Sequence, residues 1–209
     1  MKIVNPSVEI LDQLDGKAMI TKIELAGRVC YKSEDRITEN SAERFIRNLL
    51  RRGHESVLEH EKITVRFICD RGVTHEMVRH RIASYSQESS RYCNYSPDGN
   101  RGGISFIKPC FWSEDSEEYK VWLDAMAAAE EAYNRLIAMG AKPEEARDVL
   151  PNSLKTEIVM TANLREWRHF LKLRTDKAAH PQIREVAFML LEQLKKEIPV
   201  VFDDINPER

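Results

Sequence analysis

Long apolar runs are missing from this chain of 209 residues, and no stretch approaches the roughly 18 apolar residues of a membrane-spanning helix. The first residues, MKIVNPSVEI, lack the apolar segment of a secretory signal, so we expect a cytoplasmic protein with no membrane partner. A large excess of charge is missing too, because the formal net charge is −2. Binding of polyanions by the whole surface is therefore excluded, and any anion site must come from local clusters of Lys and Arg.

Cysteine is scarce, and its spacing lacks any CxxC pair. The four cysteines lie far apart, so we expect reduced, half-buried thiols and no zinc site. The segment HEMVRH imitates the HExxH motif of metalloproteases, but His75 and His80 are five positions apart, about 500° around a helix. Arg79 occupies the position where the second histidine would be needed. We therefore expect no metal in this protein.

Apolar residues make up 42% of the chain, which is enough for a core and excludes intrinsic disorder. The pattern predicts few strands separated by helices, and hence a single α+β domain over residues 1–209. Residues 70–72 are predicted as a turn, Thr74 as the cap of the helix that follows, and residues 93–103 as a loop. The predicted helices are 17–31, 41–52, 74–81, 116–139, 144–150, 163–174 and 181–198, and the predicted strands are 61–69, 104–108 and 154–162.

The most polar stretch is RHRIASYSQESSRY, residues 79–92. Nearly every side chain in it donates or accepts hydrogen bonds, which suits a polar, anionic, ring-bearing ligand. Arginine forks bind a phosphate or a pyrimidine carbonyl edge through two parallel hydrogen bonds. The serines and backbone N–H groups of residues 86–91 suit a phosphate cradle. The alternative is a surface loop with salt bridges.

Helical spacing predicts which of these polar side chains face the same way. If residues 74–81 are helical, Glu76, Arg79 and His80 group on one face, while Arg81 faces elsewhere. One short helix then presents cations toward two ligands, or toward a ligand and a neighbouring subunit. A second polar constellation comprises Arg147, then Asn163 and Arg165 at a predicted helix start, then His169 and Arg174. Asn163 also suits a plain N-cap with Glu166 at N3, and Arg168 and Lys172 are expected to be surface cations.

Arg79, His80 and Arg81, followed by Ser84, Ser89 and Arg91, fit the pattern RHRxxSxxxxSxR. With this pattern, the chain resembles the family of flavin-dependent thymidylate synthases. Three further blocks are similar to that family in the same order, namely HESVLEH (54–60), LPNSLKTE (150–157) and NLREWRHFLKLRTDKAAHPQIRE (163–185). The resemblance covers roughly residues 20–200.

The resemblance implies conversion of deoxyuridine monophosphate (dUMP) to deoxythymidine monophosphate (dTMP). It implies 5,10-methylenetetrahydrofolate as carbon donor, FAD as hydride carrier and NADPH as reductant. It also implies a homotetramer with active sites shared between subunits, acting on small molecules and not on nucleic acid. The implied fold is α+β, with a mixed or antiparallel sheet flanked by helices. It is not a Rossmann fold, and the chain has no GxGxxG motif after a strand.

Site residues follow from the same resemblance. The implied catalytic residue is Arg174, which would meet the pyrimidine of dUMP and favour ionisation at N3. The implied dUMP contacts are Glu76, Arg79, Gln87, Glu88, Ser89, Ser90, Arg91, Arg147 and Arg174. The implied FAD contacts are Ser56, Arg79, His80, Arg81, Gln87, Asn163, Arg165 and His169. Three of these positions depart from some family members, which have Glu at Gln87, Gly at Ser90 and Asn at His169.

Cys93 lies beside the signature RHRxxSxxxxSxR, residues 79–91, but outside it, so we expect Cys93 to be structural. Ser89 is expected to be a ligand, because no His–Asp relay is evident to activate it. Two other functions stay open at this point. One is a nucleic-acid-binding module that uses Tyr85, Tyr92 and Tyr95 with the arginines, although the near-neutral charge disfavours it. The other is a flavoprotein oxidoreductase with a different substrate.

Overall fold

Four of the described strands contribute residues to both of the compact units into which the protein divides. The computed structural model describes residues 1–100 and 102–207, so Arg101 of the predicted loop 93–103 lies outside the described residues. The first unit comprises Met1–Ser7, Phe67–Arg79 and Ser86–Val159, and the second comprises Val8–Arg66, His80–Tyr85 and Met160–Arg209. The single domain over residues 1–209 stays a prediction.

Within residues 1–100 and 102–207, six strands form two sheets. In the first unit, β1 (Lys2–Val4) and β5 (Ser105–Ile107) pair in parallel, with Ile3 opposite Phe106. The other sheet has the strand order β2-β3-β6-β4. Its strands are β2 (Ser7–Ile10), β3 (Lys62–Asp70), β4 (Ala83–Gln87) and β6 (Lys155–Asn163). Strands and helices combine in an α+β fold with an antiparallel sheet, as the sequence predicted.

The alternation predicted for residues 61–69 is confirmed in β3. Its side chains at Ile63, Val65, Phe67 and Cys69 are at most 1% exposed, because every second residue of a strand faces the same side. Strands β1, β2 and β4 were not predicted, since they are short and β4 is almost entirely polar.

Three helices belong to the first unit. The long helix α4 starts at its N-cap Ser116, whose hydroxyl accepts a hydrogen bond from the backbone N–H of Tyr119. It ends before Gly140, whose φ of 93° suits glycine at a helix C-terminus. Buried aromatic side chains, among them Phe106, Trp122 and Tyr133, form the core of this unit. The helices are α3 (Arg71–Met77), α4 (Glu117–Ala138) and α5 (Pro143–Ala146), with a 3₁₀ turn at Arg147–Val149.

The second unit holds the remaining described helices. The predicted bounds of four of them agree with the structure to within about two residues, whereas the short helix Pro199–Phe202 was not predicted. The buried core of this unit includes Ile23 and Ile46, together with Trp167 and Phe170 on the helix that follows β6. The helices are α1 (Gly16–Val29), α2 (Ser41–Arg51), α6 (Leu164–Arg174), α7 (Pro181–Glu197) and α8 (Pro199–Phe202), with 3₁₀ turns at Glu34–Arg36 and Ser56–His60. No described helix is long and apolar enough to span a membrane.

The predicted start and end of the helix at 74–81 are wrong. Asp70 is the N-cap of α3, because its Oδ1 accepts a hydrogen bond from the Val73 N–H at 2.8 Å. Arg71 therefore belongs to the helix and not to a turn. The hydroxyl of Thr74 donates to the Arg71 carbonyl inside the helix and caps nothing. The helix ends at Met77, so it does not reach the signature arginines.

Arg168 is buried, which contradicts its predicted place on the surface. Its side chain is 1% exposed and lies 3.1 Å from a carboxylate oxygen of Glu55 and 2.6 Å from one of Asp204. It also donates to the carbonyl of Val201. A buried guanidinium is tolerated only when it is paired, and these partners lie 113 and 36 positions away. Spacing on one helix could not reveal them.

The cysteines fall into two classes. Cys69 and Cys93 are buried, whereas Cys30 and Cys110 are exposed, so the expectation of four half-buried thiols is wrong. Burial raises the pKa of the Cys69 thiol, which keeps it protonated. Cys93 packs with Tyr95 and Phe106 in the core of the first unit, in agreement with a structural role.

Candidate active site

The turn that follows β4 carries the second half of the signature and lies in the first unit. Its backbone is attached to β6, because the Glu88 N–H donates to the Glu157 carbonyl at 2.9 Å. The Ser89 carbonyl then accepts from the N–H groups of Tyr92 and Cys93, which closes a tight turn. Gln87 through Arg91 thus lie on one short segment that is held by its own backbone and by β6, and the predicted cradle stays a prediction.

Glu88 and Gln87 make the contacts that join this segment to its neighbours in the first unit. The Glu88 carboxylate lies 3.1 Å from Lys155 Nζ and accepts a hydrogen bond from the Tyr95 hydroxyl at 3.1 Å. Burial, and next the Glu88 charge, raises the pKa of Tyr95 and keeps its hydroxyl protonated as the donor. Gln87 donates to the Thr74 hydroxyl at 3.0 Å, which links the signature to α3. These contacts fix the shape of the turn.

A cleft of about 390 Å³ in the first unit contains two arginines. Arg147 donates to the Ser90 hydroxyl at 3.2 Å, so two predicted dUMP contacts meet here. Arg71 also lines the cleft, and its Nη1 is buried with no hydrogen-bond partner among residues 1–100 and 102–207. The lining is Arg71, His75, Ser90, Arg147, Asp148, Leu150, Pro151, Asn152 and Leu154. Sequence reasoning missed Arg71, which it had assigned to a turn.

Other predicted dUMP contacts of the first unit lie near this segment in sequence. Arg91 is exposed and lies 3.1 Å from Glu144. Glu76 is in the last turn of α3, and Arg79 follows the helix end, with its N–H donating to the Glu76 carbonyl. Because the helix ends at Met77, the predicted grouping of Glu76, Arg79 and His80 on one helical face does not form. The HEMVRH segment likewise does not place His75 and His80 on one helix.

A second cleft, of about 520 Å³, lies within the second unit. It is lined by Glu55, Glu59, Ile82, Asn163, Arg165, Glu166, His169 and Lys172. Three predicted FAD contacts are therefore together, namely Asn163, Arg165 and His169. Ser56 and Arg81 are neighbours in sequence of the lining residues Glu55 and Ile82, and both are exposed.

The start of α6 explains why these side chains converge. Asn163 is the last residue of β6 and the N-cap of α6, because its Oδ1 accepts from the Glu166 N–H at 2.8 Å. The predicted cap is confirmed, and it places Arg165 and His169 one turn apart on the same helix. Arg165 is half-exposed and lies 2.6 Å from Glu59.

His80 lies at the centre of a buried polar chain in the second unit. Its Nδ1 is 3.1 Å from Glu166 Oε1, and its Nε2 accepts from Arg174 Nε at 3.1 Å. The ring packs against Phe170, with centroids 5.0 Å apart. Burial lowers the pKa of His80, and the Arg174 charge acts in the same direction. His80 is therefore a neutral imidazole at pH 7 that holds the Nε edge of Arg174.

The backbone of His80 is held as well. The Tyr85 hydroxyl donates to the His80 carbonyl at 2.7 Å. Burial, and next the charge of Glu166, raises the pKa of Tyr85 to about 12, so this donor keeps its proton over the working range of pH. The loop that carries the first half of the signature is thus fixed next to α6.

Potential metal ligands also converge here, since ligand atoms of His80, Glu166 and His169 lie within 4.8 Å of one another. However, one nitrogen of the His80 ring is turned to Glu166 and the other accepts from Arg174. A metal would have to displace one of these partners and would lie close to a guanidinium cation. The chemistry of this cluster does not suit a metal ion, and the absence of a metal stays a prediction.

Comparisons with known proteins show which proteins this chain is similar to. The family model described as "Thymidylate synthase complementing protein" matches residues 11–200. A flavin-dependent thymidylate synthase of Pyrococcus furiosus is 41% identical over 182 residues, which cover 87% of this chain and 72% of that relative. One of Geobacter sulfurreducens is 36% identical over 192 residues, covering 88% and 81%.

Among solved structures, a UMP/dUMP methylase, PolB from Streptomyces cacaoi bound with 5-Br dUMP, is similar to this chain with a TM-score of 0.79. The two are 27% identical, and the match covers 97% of this chain and 96% of the other. The likeness therefore extends over both compact units.

Proposed function

The chain belongs to the family of flavin-dependent thymidylate synthases, which are methyltransferases, and from this membership we propose that it converts dUMP to dTMP. The carbon donor is 5,10-methylenetetrahydrofolate, and the reductant is NADPH. The observation that most supports this proposal is that the segments resembling the family line two clefts. In the first, Ser90 of the polar stretch lies with Arg147 and the start of the LPNSLKTE block. In the second, Ile82 of the same stretch lies with Asn163, Arg165 and His169 of the C-terminal block.

The first unit supplies the groups for the anionic nucleotide. Arg147 and Ser90 meet in one cleft, and the buried, unpartnered Nη1 of Arg71 supports binding of an anion there. The nearby turn adds the backbone N–H groups and the hydroxyl of Ser89. The proposed contacts to dUMP in this unit are Glu76, Arg79, Gln87, Glu88, Ser89, Ser90, Arg91 and Arg147.

The second cleft fits a flavin dinucleotide in its donor set. Arg165 and Lys172 are half-exposed cations suited to a pyrophosphate, and Asn163 and His169 add hydrogen-bonding groups. Ile82 is 68% exposed and offers an apolar face for a ring system. When bound, FAD would supply the hydride-carrying chemistry. The proposed contacts are Ser56, Arg79, His80, Arg81, Gln87, Asn163, Arg165 and His169.

Arg174 has the central chemical role in the proposal. Its guanidinium stays protonated at any working pH. A fixed cation beside N3 and O4 of the pyrimidine stabilises the negative charge that activates C5 for attack on the carbon donor. The contact with His80 supports this role, because it fixes the Nε edge of the guanidinium before substrate binds.

We expect Arg174→Ala to lose nearly all methyl transfer while it retains FAD. The physical reason is that Arg174 acts on the pyrimidine and does not line the cleft at the start of α6. The measurement is dTMP formation by flavin-loaded protein, with bound flavin determined by visible absorption. Arg47→Ala is the matched control, because Arg47 is an exposed arginine of α2. Turnover of Arg174→Ala equal to that of Arg47→Ala would refute the role.

We also propose that the protein is a homotetramer whose active sites are shared between subunits. Two features of the signature support this. Arg79 and Arg81 are exposed on either side of the buried His80, and the apolar Ile82 follows them at the surface. Exposed groups of this kind suit contacts with ligands and with a second copy of the chain.

A further inference from the structure

Glu166 has no part in the contacts proposed above, yet its carboxylate is 9% exposed and lies beside the His80 ring. We propose that Glu166 is a positioning residue for Arg174: its carboxylate accepts a hydrogen bond from Nδ1–H of His80 and so keeps the Nε2 lone pair directed at the guanidinium. This inference rests on the proposed function, in which Arg174 contacts the pyrimidine.

Only one arrangement of protons satisfies the hydrogen bonds that join Glu166, His80 and Arg174. A guanidinium can only donate, so His80 Nε2, 3.1 Å from Arg174 Nε, must be the acceptor. The proton of a neutral imidazole is then on Nδ1, which lies 3.1 Å from Glu166 Oε1. A carboxylate can only accept, and it therefore favours this tautomer and disfavours the other. The same logic holds a catalytic histidine in hydrolytic triads, where an aspartate fixes its tautomer.

Glu166 and His80 are each held by a further contact. The Glu166 backbone is fixed at the start of α6 by the Asn163 cap at 2.8 Å. The His80 carbonyl accepts from the Tyr85 hydroxyl at 2.7 Å. His80 is 4% exposed and its ring lies against Phe170, so the imidazole has little room to rotate. Whether Arg174 Nε faces a lone pair or an N–H group therefore depends on the tautomer of His80 and not on a flip of its ring.

Protonation of His80 removes the acceptor. With protons on both nitrogens, Nε2–H would face the Nε–H of Arg174, and the guanidinium would lose its partner. The charged or titratable groups around His80 are Glu166, Arg174, His169 and Tyr85. Burial is the largest cause that lowers the pKa of His80, with Arg174 and His169 acting in the same direction and Glu166 opposing them.

The first test compares Glu166→Ala and Glu166→Gln in flavin-loaded protein. We expect kcat to fall by roughly tenfold to a hundredfold in Glu166→Ala, by analogy with the losses seen when the partner that orients a metal-binding histidine is removed. Glu166→Gln should lose less, because its amide oxygen can still accept from Nδ1–H. The matched control is Glu24→Gln, another buried carboxylate, which binds Arg28 and Ser41. It should lower thermal stability without changing kcat.

The pH dependence separates positioning from a purely structural role. In the wild type, kcat should fall on the acid side as His80 takes up a proton. Removing the Glu166 charge removes a group that raises the pKa of His80, so in Glu166→Gln this fall should move to lower pH. In Glu24→Gln, the fall of kcat at acid pH should occur at the same pH as in the wild type. A fall at the same pH in Glu166→Gln and wild type would contradict the proposal.

The tautomer is measured without activity, by ¹⁵N NMR of histidine-labelled protein with His80→Gln to assign the signal. We expect Nδ1–H in wild type and a mixture in Glu166→Ala. An Nε2–H tautomer in wild type overturns the positioning role. So does a Glu166→Ala variant whose tautomer and kcat are unchanged. A wild type with the expected tautomer but no dTMP formation would instead refute the proposed function, so the two failures are distinguishable.

Discussion

Single residues of this protein act through partners that are remote in sequence. Glu166 meets His80 across 86 positions, and Arg168 meets Glu55 across 113. From helical spacing alone, Glu166 of α6 is predicted to belong to the helix cap and Arg168 to be a surface cation. Sequence reasoning therefore proposed Arg174 through resemblance and named His80 as an FAD contact, but it could not reveal the contacts of His80 with Arg174 and Glu166.

Cys93, the cysteine next to the signature, has contacts that account for it without a chemical role. Cys93 is 9% exposed, packs in the core of the first unit, and donates its backbone N–H to the Ser89 carbonyl. Its backbone therefore helps to shape the turn, and its sulfur fills space. A thiol that packs in a core behaves as a small apolar group.

We expect Cys93→Ser to retain nearly full turnover and FAD binding, with stability reduced by about 1 kcal/mol because a hydroxyl replaces an apolar sulfur. Urea unfolding and dTMP formation measure the two effects. Cys30→Ser is the control, since Cys30 is exposed. Complete loss of activity in a folded, flavin-bound Cys93→Ser variant would contradict the structural role.

At the scale of secondary structure, the long helices follow from the sequence. Helix α4 has a serine cap, an alanine-rich interior and a glycine after its end, and α7 begins at a proline, so local signals mark both helices. The start of α3 was predicted wrongly because Asp70-Arg71-Gly72 has turn composition, while Asp70 in fact caps the helix. Strand β4 was missed because its residues are polar and its pairing with β6 is non-local.

Asn163, the N-cap of α6, has a structural role and a proposed role in FAD binding. Asn163 accepts from the Glu166 N–H and also lines the cleft proposed for FAD. Loss of the cap would shift the first turn of α6, where Arg165 is placed. An N-cap far from that cleft would affect stability alone.

We expect Asn163→Ala to lose about 1 kcal/mol of stability, the usual cost of removing a cap, and also to bind FAD more weakly. Ser116→Ala removes the cap of α4 and should cost a similar amount with FAD affinity unchanged. Urea unfolding of the apoprotein and fluorescence titration with FAD measure the two effects. Equal FAD affinity in Asn163→Ala and Ser116→Ala would count against the cleft assignment.

For the whole molecule, the family match over residues 11–200 runs through both compact units. Each unit holds part of the signature, since the turn at Gln87 to Arg91 is in the first and His80 is in the second. The sequence predicted the α+β class and most elements. It could not predict this division, because four of the five boundaries fall inside the strands β2, β3, β4 and β6, where nothing in the sequence marks a break.

Assembly is also a property of the whole molecule. The proposed homotetramer predicts a mass about four times the 24.3 kDa of one chain in light scattering coupled to size exclusion. It also predicts that mixing an inactive Arg174→Ala chain with an inactive Arg147→Ala chain restores some turnover, because shared sites can combine intact residues from different subunits. A fully active protein with the mass of one chain would contradict both expectations.

The central claim is that this protein methylates dUMP with the help of a flavin, and dTMP formation by the purified, FAD-loaded wild type tests it most directly. The reaction contains dUMP, 5,10-methylenetetrahydrofolate and NADPH, and parallel reactions omit each component in turn. We predict that dTMP forms in the complete mixture and falls to background in each omission and in Arg174→Ala. A folded, flavin-loaded wild type that leaves dUMP unchanged in the complete mixture would contradict the claim.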